Sequence, residues 1–166
     1  MIQIVKDSDT RPWFFLQTAH TTYGMWVMET GHLEHLYYGE RITVDSQDPA
    51  SCAPLVIQRG FAPGNTCTYD KEHPHISMED VCLEVGTLGK GDIREPFLEV
   101  RFTDGSVTSD FTFDSYEVLT LKEREQCLQA SGLPHSYSEA ETDSAECLQI
   151  VLQDVTNHLE LQLFYT

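Results

Sequence analysis

Apolar and polar residues alternate with a period of two along most of this chain, the pattern of strands that bury one face. Ile2 and Ile4 alternate with polar neighbours, Trp13-Phe14-Phe15-Leu16-Gln17-Thr18 reads as a second strand, and Thr22-Tyr23-Gly24-Met25-Trp26-Val27-Met28 as a third. Ala19 to Thr21 supply the hairpin turn between the last two. Thr30-Gly31 turns the chain again into His32-Leu33-Glu34-His35-Leu36-Tyr37-Tyr38, which Gly39 punctuates.

Between Asp45 and Asp80 the alternation fades, and Pro49, Pro54, Pro63, Gly64 and Pro74 are spread through polar sequence. This predicts a long ordered loop, of the kind that is functional or covers another element. Next comes Gly89-Lys90-Gly91-Asp92-Ile93-Arg94-Glu95-Pro96. Its glycines permit positive φ at a sharp turn, and Pro96 removes a backbone donor. With no Gly-Lys-Ser/Thr and no helix behind it, the stretch reads as a structural turn rather than a phosphate cradle, and no cofactor is expected.

Alternation returns at Phe97 to Phe102. The Asp104-Gly105 turn, then Val107, Phe111 and Phe113, complete a predicted second hairpin. Helical periodicity is brief, around Leu121 to Leu128. Leu148, Ile150 and Leu152 then share one face of a strand. A turn over Asp154 to Asn157 leads to a last strand with Leu159, Leu161, Leu163 and Tyr165 on one face. The expected class is all-β, an antiparallel sandwich. Because the final apolar strand has no polar tail to cover it, the chain is expected to be only the first part of a larger domain, with marginal stability or self-association in isolation.

With 166 residues the chain is long enough for one domain burying about 70% of its unfolded surface. Its 27 acidic and 10 basic residues give a formal charge of −17. Such a field repels phosphate backbones and anionic lipid, so neither nucleic acid nor a membrane is an expected partner. Apolar runs fall well short of the ~20 residues that a membrane span needs. Cys52, Cys67, Cys82, Cys127 and Cys147 form no Cys-x-x-Cys pair, and no signal peptide precedes them, which fits a reducing cytoplasm.

Candidate chemistry is sparse. His32 and His35, three apart on a strand, point to opposite faces and cannot share a metal. His73 and His75 flank Pro74 with no thiol or carboxylate at finger spacing, so no metal is expected. Trp13, Trp26, Tyr37, Tyr38 and Phe61 are either a sugar-stacking platform or core, and aromatic residues on strands favour core. Asp92 and Arg94 share a strand face and read as a structural ion pair.

Several segments together resemble the N-terminal domain of glycoside hydrolase family 36, the family of the bacterial α-galactosidases. Gly31-His32-Leu33-Glu34-His35-Leu36-Tyr37-Tyr38-Gly39 is similar to a Gly-x-Leu-x-His-x-Tyr-x-Gly segment, and Arg59-Gly60-Phe61-Ala62-Pro63 resembles Arg-x-Phe-x-Pro. Gly91-Asp92-Ile93-Arg94-Glu95-Pro96 resembles a Gly-x-Asp-Phe-Arg-x-Pro segment, with Gly91, Asp92, Arg94 and Pro96 as the similar residues. Asp104-Gly105-Ser106, Gly132-Leu133-Pro134-His135-Ser136-Tyr137, Ala145 to Leu152 and His158 to Tyr165 follow in the family's order.

The resemblance implies the first part of a β-supersandwich, residues 1–166, followed in the family by a catalytic (β/α)₈ barrel that carries an aspartate nucleophile and an aspartate acid/base. No catalytic residue is therefore expected here. A retaining glycosidase needs two carboxyls ~5–5.5 Å apart, one with its pKa raised, and spacing picks out no such pair. The resemblance further implies packing on that barrel, a homo-oligomer, and a loop at Leu55 to Pro63 that reaches a neighbouring subunit's galactoside. The family's sugar-contacting aspartate is matched here by Gln58, followed by Arg59 and Phe61. Gln58 is either a hydrogen-bonding partner for a galactose hydroxyl or an ordinary loop residue. Two other classes stay open: a stand-alone carbohydrate-binding sandwich, and a mutarotase-like enzyme with a His and a carboxylate converging on a sugar.

Overall fold

Strand β2 (Pro12–Gln17) is buried on both faces, and the architecture follows from covering each of them. The computed structural model describes residues 1–6, 11–57, 68–92, 95–131 and 146–166. In the first sheet, β2 lies between β1 (Ile2–Lys6) and β3 (Thr21–Val27), and β4 (Leu33–Glu40) completes an antiparallel order β1-β2-β3-β4. The register sets Phe14 opposite Met25 and Trp13 opposite Trp26, so Phe14 and Met25 point to one face and the two tryptophans to the other. Pro12 opens β2 and pairs with Lys6 at the end of β1, a strand-terminal position that tolerates a missing donor.

The second sheet has β8 (Glu146–Asp154) between β7 (Thr112–Thr120) and β9 (Leu159–Tyr165), all antiparallel. Leu148, Ile150 and Leu152 of β8 are fully or almost fully buried. They meet Phe14, Met25, Val27 and Leu33 of the first sheet, with Val85 and Phe111, in one core. Two antiparallel sheets thus enclose a shared apolar layer, and the chain is all-β as its alternation predicts. Leu159, Leu161 and Leu163 of the edge strand β9 are only half-buried against that core.

The opposite face of β2 carries Trp13 and Phe15. It is covered by residues 42–56, whose Val44, Cys52, Ile42, Leu55 and Val56 pack on Val5, Trp13 and Phe15. Gln3 and Gln17 hold this cover by donating side-chain amide hydrogen bonds to the Val44 and Ile42 carbonyls, at 2.6 and 2.9 Å. A 3₁₀ turn, Pro49–Leu55, starts from Asp48, whose carboxylate accepts from the Ala50 amide. The predicted Asp45–Asp80 loop therefore begins as a lid on the first sheet. Residues 82–84 run along β4, where His35 N–H donates to the Cys82 carbonyl and Glu84 N–H to that of Leu33.

The predicted hairpin from Phe97 to Phe113 is not formed. Its Asp104-Gly105 turn exists, with Gly105 at φ +88° and Phe102 N–H on the Ser106 carbonyl, but its arms do not pair into strands. Leu98 instead bridges Thr87, the Thr87 hydroxyl donates to the Ser109 carbonyl, and Asp110 N–H donates to Asp154. Each arm is claimed by a neighbouring element, and the regular strand starts only at Thr112. The brief helical periodicity corresponds to α1 (Leu121–Ser131). It opens on a capping box, in which the Thr120 amide and hydroxyl both donate to Glu123 and the Glu123 amide donates back to Thr120.

Candidate functional site

At one end of the sandwich, side chains from three separate segments converge on Asp110. Its carboxylate accepts from His32 Nε2 at 2.8 Å and from the Tyr69 hydroxyl at 3.1 Å, and pairs with Lys90 Nζ at 3.3 Å. The Lys90 ammonium also lies over the Tyr69 ring, 4.7 Å from its centroid. Because an ionised carboxylate only accepts, His32 Nε2 must carry a hydrogen, which leaves Nδ1 facing the Thr30 hydroxyl at 2.9 Å. Burial works against the charge on Asp110, but His32 and Lys90 outweigh it and hold its pKa down to about 2. Burial beside Asp110 pushes the Tyr69 phenol up to about 12.

The network extends to Asp154, 1% exposed, which accepts from the Asp110 and Asn157 amides and from the Asn157 side chain. Burial again opposes its charge, and those donors still pull it below the ordinary carboxylate range. Asp70, Asp104 and Glu123 are likewise held down, chiefly by hydrogen bonds from His73, Ser106 and Thr120 respectively. These five carboxylates are stabilised as anions and are poor proton donors near neutral pH.

A second polar cluster bridges the open side of the sandwich between β4 and β9. Glu84 accepts from the Tyr23 hydroxyl at 2.7 and 2.8 Å and from the Tyr165 hydroxyl at 2.9 Å. Burial, then the Glu84 carboxylate, raises the pKa of both phenols far above the usual tyrosine value. The His35 ring stacks at 4.8 Å from Tyr23, and its buried Nδ1 has no hydrogen-bond partner.

Gln58, Arg59 and Phe61 lie outside the described residues. Just before them, Leu55 and Val56 pack on the first sheet and Ile57 is 62% exposed. Ile57 borders a groove of about 150 Å³ with Trp26, Met28, Glu29 and His75. The described residues at the start of the Gly89 to Pro96 stretch belong to a tight turn over residues 87–92: Gly89 sits at φ +77°, Thr87 and Lys90 exchange backbone hydrogen bonds, and Leu88 of β5 (Thr87–Leu88) pairs with Asp92 of β6 (Gly91–Asp92). Arg94, and with it the Asp92–Arg94 ion pair, falls outside the described residues. Lys90 is what ties this turn to Asp110.

Trp13 is core at 6% exposure and stacks on Trp26 at 4.8 Å, whereas Tyr38 is 70% exposed. Phe61 of the same aromatic set is outside the described residues. His73 pairs with Asp70 at 2.9 Å and His75 with Glu29, carboxylates that finger spacing did not reveal. Among the described residues, no group of three or more His, Cys, Asp or Glu side chains is placed to hold a metal, and no helix is long and apolar enough to cross a membrane. Spacing along the sequence does not reveal Asp110 and Glu84, because most of their partners lie 41 to 81 residues away and Lys90 is brought to Asp110 only by the turn that carries it.

The model of the Glycosyl hydrolase family 36 N-terminal domain matches residues 31–166. The bifunctional alpha-galactosidase/sucrose kinase AgaSK of Mediterraneibacter gnavus is 37% identical over 152 residues, covering 92% of this chain and 15% of that protein. The structure of the alpha-galactosidase from Lactobacillus brevis aligns with a TM-score of 0.74 at 29% identity, over 97% of this chain and 20% of the other. A variant of alpha-galactosidase AgaA from Geobacillus stearothermophilus, solved in complex with stachyose, aligns with a TM-score of 0.71 at 27% identity, over 92% and 20%. The chain spans 15% to 21% of the length of the curated relatives it matches. The family match over residues 31–166, together with the alignment of 97% of the chain on a solved alpha-galactosidase, makes this chain a member of glycoside hydrolase family 36, corresponding to its N-terminal domain.

Proposed function

We propose that residues 1–166 act as the noncatalytic N-terminal β-supersandwich domain of an α-galactosidase that hydrolyses terminal α-galactosides such as melibiose or raffinose. The domain packs on a catalytic barrel and supports a homo-oligomer. The observation that carries this reading is the match to one domain of much longer α-galactosidases. Among the described carboxylates whose pKa departs from the ordinary value, none is held protonated. A retaining glycosidase needs one carboxylic acid kept protonated by a raised pKa, and Asp70, Asp104, Asp110, Glu123 and Asp154 are all shifted the other way.

Within this proposal Gln58, Arg59 and Phe61 form the loop that meets sugar in a neighbouring subunit. Gly91, Asp92, Arg94 and Pro96 form a structural turn that Lys90 fastens to Asp110. The test is galactose release from melibiose and raffinose by this chain alone. No release is expected. Saturable release that survives purification and disappears when a single carboxylate is replaced would overturn the noncatalytic assignment.

A further inference from the structure

The open side of the sandwich holds a groove that the scaffold role leaves without a function. Its volume is about 360 Å³, lined among others by Cys82, Glu84, Glu95 and Phe97. Ligand sites are clefts of ~300–1,000 Å³ with few, well-placed polar groups, so this groove reaches the lower end of that range. The groove beside Ile57 holds less than half as much.

Three features define what would fit. Phe97 is 69% exposed, the kind of aromatic face on which the C–H face of a sugar ring can stack. Glu84 is oriented by two phenolic donors from opposite sheets, Tyr23 and Tyr165, rather than left free to rotate. Oε1 receives both hydroxyls, while Oε2 shares only the Tyr23 proton and so keeps acceptor capacity. Glu95 supplies a second carboxylate at the rim. Acceptors beside an exposed ring suit a ligand that presents hydroxyl donors and a C–H face, and the charge of −17 disfavours an anionic one.

We infer that this groove is a second saccharide site, in which a galactoside ring stacks on Phe97 and donates hydroxyl hydrogen bonds to Glu84 and Glu95. The ligand class rests on the galactoside reading above, whereas the site is separate in sequence from the Gln58 to Phe61 loop. Glu84 also joins β3 to β9, so a bound sugar is read directly by residues of both sheets.

The experiment is a ¹H–¹⁵N titration of the full chain with raffinose, alongside the rate at which Cys82, an exposed thiol lining the groove, reacts with iodoacetamide as located by mass spectrometry. The expected result is saturable shifts centred on residues 81–86 and 95–98, slower Cys82 alkylation with sugar, at least about tenfold weaker binding in Phe97→Ala, and recovery in Phe97→Trp. A tenfold loss corresponds to ~1.4 kcal/mol. Phe97 is exposed, so its replacement leaves the core intact. Absence of saturable shifts overturns the site, as does unchanged affinity in Phe97→Ala, or binding of arginine in place of raffinose. None of these outcomes bears on whether a longer enzyme uses this domain as a scaffold, which is assayed by galactose release.

Discussion

Asp110 is where single residues do most to hold the two sheets in register. His32 leads into β4, Tyr69 and Lys90 come from the loops beyond it, and Asp154 ends β8. With its folded pKa held at about 2, against ~3.9 when unfolded, Asp110 stabilises the fold fully above pH ~4. That contribution, about 2 kcal/mol, is lost as pH falls from ~4 toward ~2. Melting Asp110→Asn and the parent chain across pH 6 to 2.5 should give a variant less stable at pH 6, with the gap closing at the acid end. A gap constant with pH would remove the charge from the account. Gly31 makes a second prediction at this scale. At φ +83°, with Thr112 Cβ only 3.3 Å from where a Cβ would sit, Gly31→Ala should cost about 1–2 kcal/mol in urea unfolding, and a neutral result would contradict it. The turn at Gly31 was legible in the sequence, whereas the Asp110 network was not, since its partners are brought to it only by the fold.

Elements were more legible than residues, and for a physical reason. Where a strand buries one face, its alternation is the burial pattern, which is why β1 to β4, β8 and β9 follow the sequence closely. Phe97 to Phe102 alternates equally well but does not become a strand, because its backbone partners are Gly86 and Ser106 rather than a second arm. Alternation reports a buried face and is silent on whether a ladder partner is available. The capping box of Thr120 and Glu123 was a readable signal for α1 beyond its periodicity. On β8, Ile150→Ala should lose about 2–5 kcal/mol, while Gln149→Ala on the other face stays near neutral. Equal effects would mean that β8 is not the centre of the core. Thiols divide the same way. Cys52 and Cys147 are buried, and burial raises their pKa, so native alkylation should reach the exposed Cys82 well before either. Early labelling of Cys52 would show that residues 42–56 do not cover the first sheet.

At the scale of the whole molecule, the sandwich is closed along β1, where Ile2 N–H donates to Glu146 and Lys6 lies over Tyr116, and more open between β4 and β9. Tyr38, Phe97 and Val118 are exposed, and the β9 leucines are half-buried. Light scattering should therefore find the isolated chain self-associating, and a monomer that melts cooperatively would count against an open edge. Family membership was legible because ordered short motifs span the chain, whereas the Glu84 cluster was not, because it forms only when β3, residues 82–84 and β9 meet. The proposed role is that of a domain which completes an enzyme rather than being one. Its most direct test replaces the matching N-terminal segment of the Lactobacillus brevis alpha-galactosidase with this chain and measures galactose release from raffinose beside the same enzyme lacking the segment. Activity in the chimera within about tenfold of the parent, and a far larger loss in the deletion, is the expected result. A chimera no better than the deletion, or a deletion as active as the parent, would contradict it.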